Sequence, residues 1–232
     1  VQGGHLLEKI NIAIDGPAGA GKSTIARLVA DTLGFVYVDT GAMYRAVTWM
    51  VLQQDVSPSD TVRVVAIARS MKLELRPGPE GQQVFVSGED VTGRIRTPAV
   101  NENVSDVAKI REVRELLVAK QKEMTAAKGV VMDGRDIGTH VLPDAEVKVF
   151  LTASPRVRAE RRFKEMKDTH PDLTIDQLEQ DIARRDRIDE QREVSPLVRA
   201  QDAVLLDSTG MSIPEVVDRI LELCRARAPG GS

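Results

Sequence analysis

The pattern G-x-x-x-x-G-K-[ST] stands near the start of the chain as Gly16, Pro17, Ala18, Gly19, Ala20, Gly21, Lys22 and Ser23, followed by Thr24. No other stretch limits the fold so tightly. The apolar run INIAID precedes it, and after it Ile25, Leu28, Val29 and Leu33 recur at helical spacing. A strand, a glycine-rich turn and a helix in that order aim backbone N–H groups and the positive end of the helix at one point, which suits phosphate. Residues 16 to 24 are therefore the expected phosphate-binding segment of a nucleotide site, with Lys22 on the β and γ phosphates and the Ser23 hydroxyl on Mg²⁺, and the motif alone does not separate a kinase from a hydrolase or a nucleotide switch.

Further short, β-branched apolar runs, FVYVD, VVMD, VKVFL and AVLLD, are separated by helical patterns over 41–53, 59–70, 104–127, 154–168, 174–191 and 212–226. This alternation predicts an α/β fold with a five-stranded parallel sheet covered by helices on both faces. Residues 71–97, MKLELRPGPEGQQVFVSGEDVTGRIRT, break the alternation. They read as two strands joined at Pro77 to Gly81, with a third after Gly88, forming a β insertion of the kind that adds specificity to a reused scaffold.

Composition narrows the partners. A formal net charge of -3 and an aromatic fraction of 3% argue against a nucleic-acid field and against base-stacking platforms. No apolar run approaches the roughly 18 residues of a membrane span. The segment VQGGHLLEK lacks the pattern of a secretory signal, so a cytoplasmic protein is expected; the further expectations are a monomer with no membrane and no stable nucleic-acid partner. The single cysteine, Cys224, reads as a small buried apolar residue.

The charged residues must say what a phosphate loop is used for. DTGAMYR offers Thr40 and Arg45, and DGRDIG offers Arg135 and Asp136, both close to strand ends where ligands bind in open α/β sheets. Asp133 follows the strand VVM and either supports magnesium from behind its ligands or caps the local structure. Farther on, SPRVRAERR carries Arg156, Arg158, Arg161 and Arg162, while RRDRIDEQR carries Arg184, Arg185, Arg187, Asp189 and Arg192. Single helical arginines are mostly solvated or paired one turn away. Arg158 and Arg161 nevertheless share a face, and Arg162 lies one turn from Arg158, so a lid could carry several guanidinium groups over a transferring phosphate. None of the three histidines has metal-ligand or triad spacing. A phosphate acceptor needs no strong base, because its oxygens are largely ionised at neutral pH.

In order along the chain, IDGPAGAGKST (14–24), DTGAMYR (39–45), SGEDVTGRIRT (87–97), DGRDIGT (133–139), RRDRIDEQREVSPL (184–197) and LDST (206–209) make the sequence from about Ile10 to Leu223 closely resemble the bacterial cytidylate kinases. These are the long form of the nucleoside monophosphate kinase fold. The resemblance implies transfer of the ATP γ-phosphate to CMP or dCMP, with Mg²⁺ bound with ATP. It implies a core at 10–65, 103–153 and 193–227, a monophosphate-binding insertion at 66–102, and a short helical lid with its flanking helices at 154–192, between tails at 1–9 and 228–232. It places Thr40, Arg45, Ser105, Arg114, Arg135, Asp136, Asp189 and Arg192 at the CMP site. The groups expected at the transferring phosphate are Lys22, Arg135, Arg158, Arg162, Arg185 and Arg192. A carboxylate there can accept from the cytosine amino group, where uracil presents a carbonyl. Thr40 stands where relatives often have Ser, and Ile188 and Glu190 where some are basic. A kinase of another monophosphate such as UMP, and a non-catalytic regulatory or RNA-binding module, remain the alternatives at this point.

Overall fold

The computed structural model describes residues 8–79 and 81–227, so residues 1–7 and 228–232 of the expected tails lie outside the described residues. The central sheet holds β1 (Asn11–Asp15), β2 (Val36–Asp39), β6 (Val130–Gly134), β7 (Val147–Thr152) and β8 (Val204–Asp207), in the order β2-β6-β1-β7-β8. Every pairing is parallel. β1 is central and all five of its residues are buried, which is why INIAID reads as a continuous apolar run rather than an alternating one. One face carries Ile12 and Ile14 onto Val29 of α1 (Lys22–Leu33) and onto Ile220 and Cys224 of α8 (Ile213–Arg227). The other carries Ala13 and Met132 onto Ile137 and Val141. Cys224 is buried as expected, and burial pushes its thiol up to about 12.

Residues 137–141 form a π-type turn after β6, which the sequence does not signal. Asp15 at the end of β1 accepts from the Ile137 and Gly138 N–H groups, both at 2.8 Å, and so fixes the chain leaving DGRDIG. Burial outweighs those two donors and pushes the Asp15 carboxyl up to about 6.

The insertion is a separate antiparallel sheet of β3 (Leu73–Gly78), β4 (Gly81–Val86) and the two-residue β5 (Glu89–Asp90). Its Val84 and Val86 join a second core with Val47 and Val51 of α2 (Thr40–Gln53), Val64 of α3 (Thr61–Ser70) and Val107 of α4 (Pro98–Ala108). The hairpin is pinned to the main sheet by Gln82, whose side chain accepts from Asp39 N at 3.0 Å and donates to Asp39 O at 3.4 Å. A 3₁₀ turn at Arg94–Arg96 leads out of it.

The helix expected over 104–127 is two helices, α4 and α5 (Arg111–Met124). Ile110 between them is extended and buried, with its carbonyl already accepting from Arg114 N. Neither Gly nor Pro marks the break; burial of Ile110 in the second core accompanies it. α4 also begins five residues before the boundary drawn at 103, its N1 proline following the capping Thr97.

Finally, α6 (Pro155–Met166) and α7 (Ile175–Gln191) pack against each other around Ala159, Leu178 and Ile182. α7 starts with a full capping box, Thr174 and Gln177.

Candidate active site

The carboxyl ends of the parallel strands open into a cleft of about 880 Å³, within the usual range for small-molecule sites. Its floor is the glycine loop. Gly16 passes so close to β7 that a Cβ there would lie 2.0 Å from the Leu151 carbonyl oxygen, and Gly19 and Gly21 turn with φ of +73° and +87°. α1 begins at Lys22 directly after Gly21, so its unpaired N–H groups face the cleft. Ala18 to Thr24 line it, whereas Gly16 and Pro17 form the turn behind.

Lys22 is buried and its Nζ donates to Pro17 O at 2.8 Å. Burial, followed by the charge of Arg135, lowers its pKa, so an arriving phosphate would favour the charged form. Ser23 Oγ donates to Asp133 Oδ2 at 3.0 Å, while Asp133 Oδ1 is buried with no hydrogen-bond partner. Burial and the neighbouring Asp39 raise the Asp133 pKa. A hydroxyl and an orphaned carboxylate oxygen at the phosphate end of the cleft are a donor set that suits a hard divalent cation.

Across from this loop lies a second group of charges. Thr40 begins α2 and its hydroxyl donates to Asp133 O at 2.7 Å, tying β2 to β6. Arg45, one turn on, bonds Asn101 of α4. Arg114 and Asp136 form an ion pair at 2.7 Å in which each side chain is only 2% exposed. Arg114 also donates to Ala108 O at 2.9 Å and lies over the Tyr44 ring, 4.8 Å from its centroid. Arg135 Nε donates to Asp189 Oδ2 at 2.9 Å, Arg192 stands 3.7 Å from the same carboxylate, and Arg192 Nε donates to Ser195 O at 2.8 Å. Burial alone would raise the Asp189 pKa, but Arg135, Arg192 and Arg185 together hold it low. Ser105 lines the same wall from α4.

The cations outnumber their carboxylates here. Arg185 Nε and Arg192 Nη2 are buried without hydrogen-bond partners. Burial and neighbouring guanidinium groups lower the pKa of Arg45, and bring those of Arg185 and Arg192 down to about 10. Such mutual repulsion is relieved by an anion.

The lid arginines divide. Arg161 and Arg162 both line the cleft, Arg162 reaching Glu165 at 3.2 Å and Arg161 donating to Ser208 O at 2.8 Å. Arg158, expected with them at the transferring phosphate, instead turns beneath the glycine loop, where it donates to Ala18 O, Ala153 O and Asp186. Its neighbours on α6 and α7 close over it, so the expected shared face with Arg161 does not put both guanidinium groups in the cleft.

Tyr44, Arg96, Asn101 and Asp186 were not singled out by sequence. Tyr44 and Arg96 sit inside the motifs DTGAMYR and SGEDVTGRIRT, and Asp186 inside RRDRIDEQR, whereas Asn101 carries no signal of its own.

A strand–loop–helix cradle for one phosphate chain, facing an arginine-lined pocket for a second anion, defines a P-loop phosphotransferase. The cytidylate kinase family model matches residues 12–226. A cytidylate kinase from Caldicellulosiruptor bescii is 54% identical over 217 residues, covering 94% of this chain and 96% of that one. One from Bacillus cereus is 51% identical over 216 residues, covering 93% and 96%. The chain belongs to the cytidylate kinase family. A solved structure of an uncharacterized protein from Eubacterium ventriosum, 8% identical, covers 95% of this chain and 100% of its own with a TM-score of 0.54, and so shares the fold alone.

Proposed function

We propose that this chain transfers the γ-phosphate of ATP to CMP or dCMP, yielding ADP and CDP or dCDP. The observation that carries the reading is the buried Arg114–Asp136 pair, set in one cleft with Lys22 and the surplus of guanidinium groups. An ion pair so enclosed makes a fixed hydrogen-bonding edge. Asp136 would accept from the cytosine amino group, and UMP would set a carbonyl against that acceptor.

In this reading the Ala18–Thr24 amides hold the donor phosphates, and Lys22 follows the β and γ groups. Arg45, Arg135, Arg185 and Arg192 bind the acceptor phosphate, with Thr40, Ser105 and Asp189 completing its site and Arg162 approaching from α6. An acceptor phosphate oxygen attacks the γ-phosphorus in line with the departing ADP oxygen, and the guanidinium groups offset the repulsion between the two anions. Mg²⁺, bound with ATP, would meet Ser23 directly and Asp133 behind it, and would neutralise charge on the β and γ oxygens. The β3–β5 sheet would close over the acceptor, and the connected far end of the α6–α7 pair, around Met166 and Leu173, over the donor.

Among the described residues no helix is long and apolar enough to cross a membrane. The proposed enzyme acts as a monomer, since one chain supplies both halves of the cleft. It works in the cytoplasm, where its buried cysteine needs no oxidising surroundings.

The test is a steady-state comparison of CMP, dCMP, UMP and AMP with ATP and Mg²⁺. CMP or dCMP should give the highest kcat/KM; UMP exceeding both would overturn the cytosine assignment.

A further inference from the structure

We propose that Asp186 is a positioning residue for the donor phosphates, holding the glycine loop from α7 while the neighbouring stripe of that helix serves the acceptor. The proposal rests on the ATP and CMP reading above. The Pro17–Ala18 peptide group is held at both ends. Its carbonyl accepts from Lys22 Nζ at 2.8 Å, and its N–H donates to Asp186 Oδ1 at 3.3 Å. The next carbonyl, Ala18 O, accepts from Arg158 Nη1 at 2.9 Å. Arg158 in turn lies 2.7 Å from Asp186 Oδ2 and donates through Nε to Ala153 O at 3.0 Å.

This grip is enclosed, because the side chains of Arg158 and Asp186 are only 6% and 13% exposed. It is also close: a Cβ on Gly19 would lie 3.4 Å from both Arg158 Cβ and Ile182 Cδ1. Ile182 and Asp186, one turn apart on α7, therefore lie against the loop. Arg185 and Asp189, also one turn apart, point into the acceptor side of the cleft.

Preorganised N–H donors stabilise phosphate because they need no reorientation when it arrives. Lys22 cannot supply that rigidity alone, since its ammonium group is drawn toward the phosphates once they bind. Asp186 and Arg158 then remain to fix the Pro17–Ala18 and Ala18–Gly19 peptide planes. The contacts of Asp189 to Arg135 and Arg192 do not pass through Asp186, so the acceptor site should keep its geometry without it.

The experiment is steady-state kinetics of the full chain, varying ATP and CMP separately, with melting temperatures alongside. Asp186→Ala should raise KM for ATP roughly tenfold and leave KM for CMP within about twofold. Asp186→Asn keeps an oxygen that can accept from Ala18 N–H but turns its Nδ2 donor toward Arg158, and should give a KM for ATP between those of wild type and the alanine variant. An unchanged KM for ATP in the alanine variant, or an equal rise in both KM values, overturns the proposal. If that variant does not fold, Asp186→Glu keeps the charge beside Arg158 and displaces the oxygens by one methylene. A selective rise in KM for ATP then supports the proposal, and none overturns it. Wild-type protein that turns over no CMP would instead overturn the underlying substrate reading.

Discussion

Lys22 shows how one side chain can be both a structural group and a chemical one. Held against Pro17 O in a buried site beside Arg135, its charged form is disfavoured until phosphate arrives. The sign follows directly. Its pKa is low in the free protein and rises when ATP places negative charge beside it, so binding above neutrality takes a proton from solvent. Calorimetry of a non-hydrolysable ATP analogue at pH 8, in buffers of different ionisation enthalpy, should report net proton uptake in wild type that disappears in Lys22→Ala. The same substitution should lower kcat by about 10²–10³-fold in a folded protein, the scale seen when one preorganised electrostatic donor is removed. Near-normal turnover would remove Lys22 from the transfer step. The placement of Lys22 and Ser23 at the start of α1 was legible because the motif's own spacing sets the turn into the helix. The turning of Arg158 under the loop was not, since its destination is a carbonyl 140 residues away in sequence.

At the scale of elements, α7 is shared between two parts of the cleft, as one face touches the glycine loop and another the arginine-lined pocket. Its first turn is fixed locally by the Thr174–Gln177 capping box. Thr174→Ala should therefore destabilise the protein by about 1 kcal/mol, read as a lower urea midpoint with an unchanged slope. A midpoint within error of wild type would show that helix packing alone holds this end. The parallel strands and most helices were legible because fully buried β-branched runs and 3.6-residue apolar periods are local patterns. The break at Ile110 has no local signal: KIREV holds neither Gly nor Pro, and the turn reflects where Ile110 is buried.

For the whole molecule, the notable quantity is a surplus of positive over negative side chains lining the cleft in a chain whose formal net charge is -3. Arg45, Arg135, Arg185 and Arg192 repel one another in the ligand-free protein, and under the proposed function the acceptor phosphate would offset that repulsion. CMP at 100 times its Kd should stabilise the fold by about 2.7 kcal/mol from mass action. Because part of the affinity is electrostatic, the rise in Tm at fixed CMP should shrink as salt increases from about 0.05 to 0.5 M. A salt-independent shift would show that the guanidinium groups are not what CMP meets.

The sequence alone determined the phosphate loop, the parallel α/β scaffold, the β insertion and the set of motifs bearing the polar residues, for these depend on spacing within a few turns or strands. Tertiary structure decided which arginines face the cleft and which brace it, that Arg114 and Asp136 meet as a buried pair, and that the Pro17–Ala18 peptide is gripped from α7. The physical reason is distance along the chain: the loop that begins with Gly16 is completed by Arg158 and Asp186, whose approach exists only once the helices have packed against it.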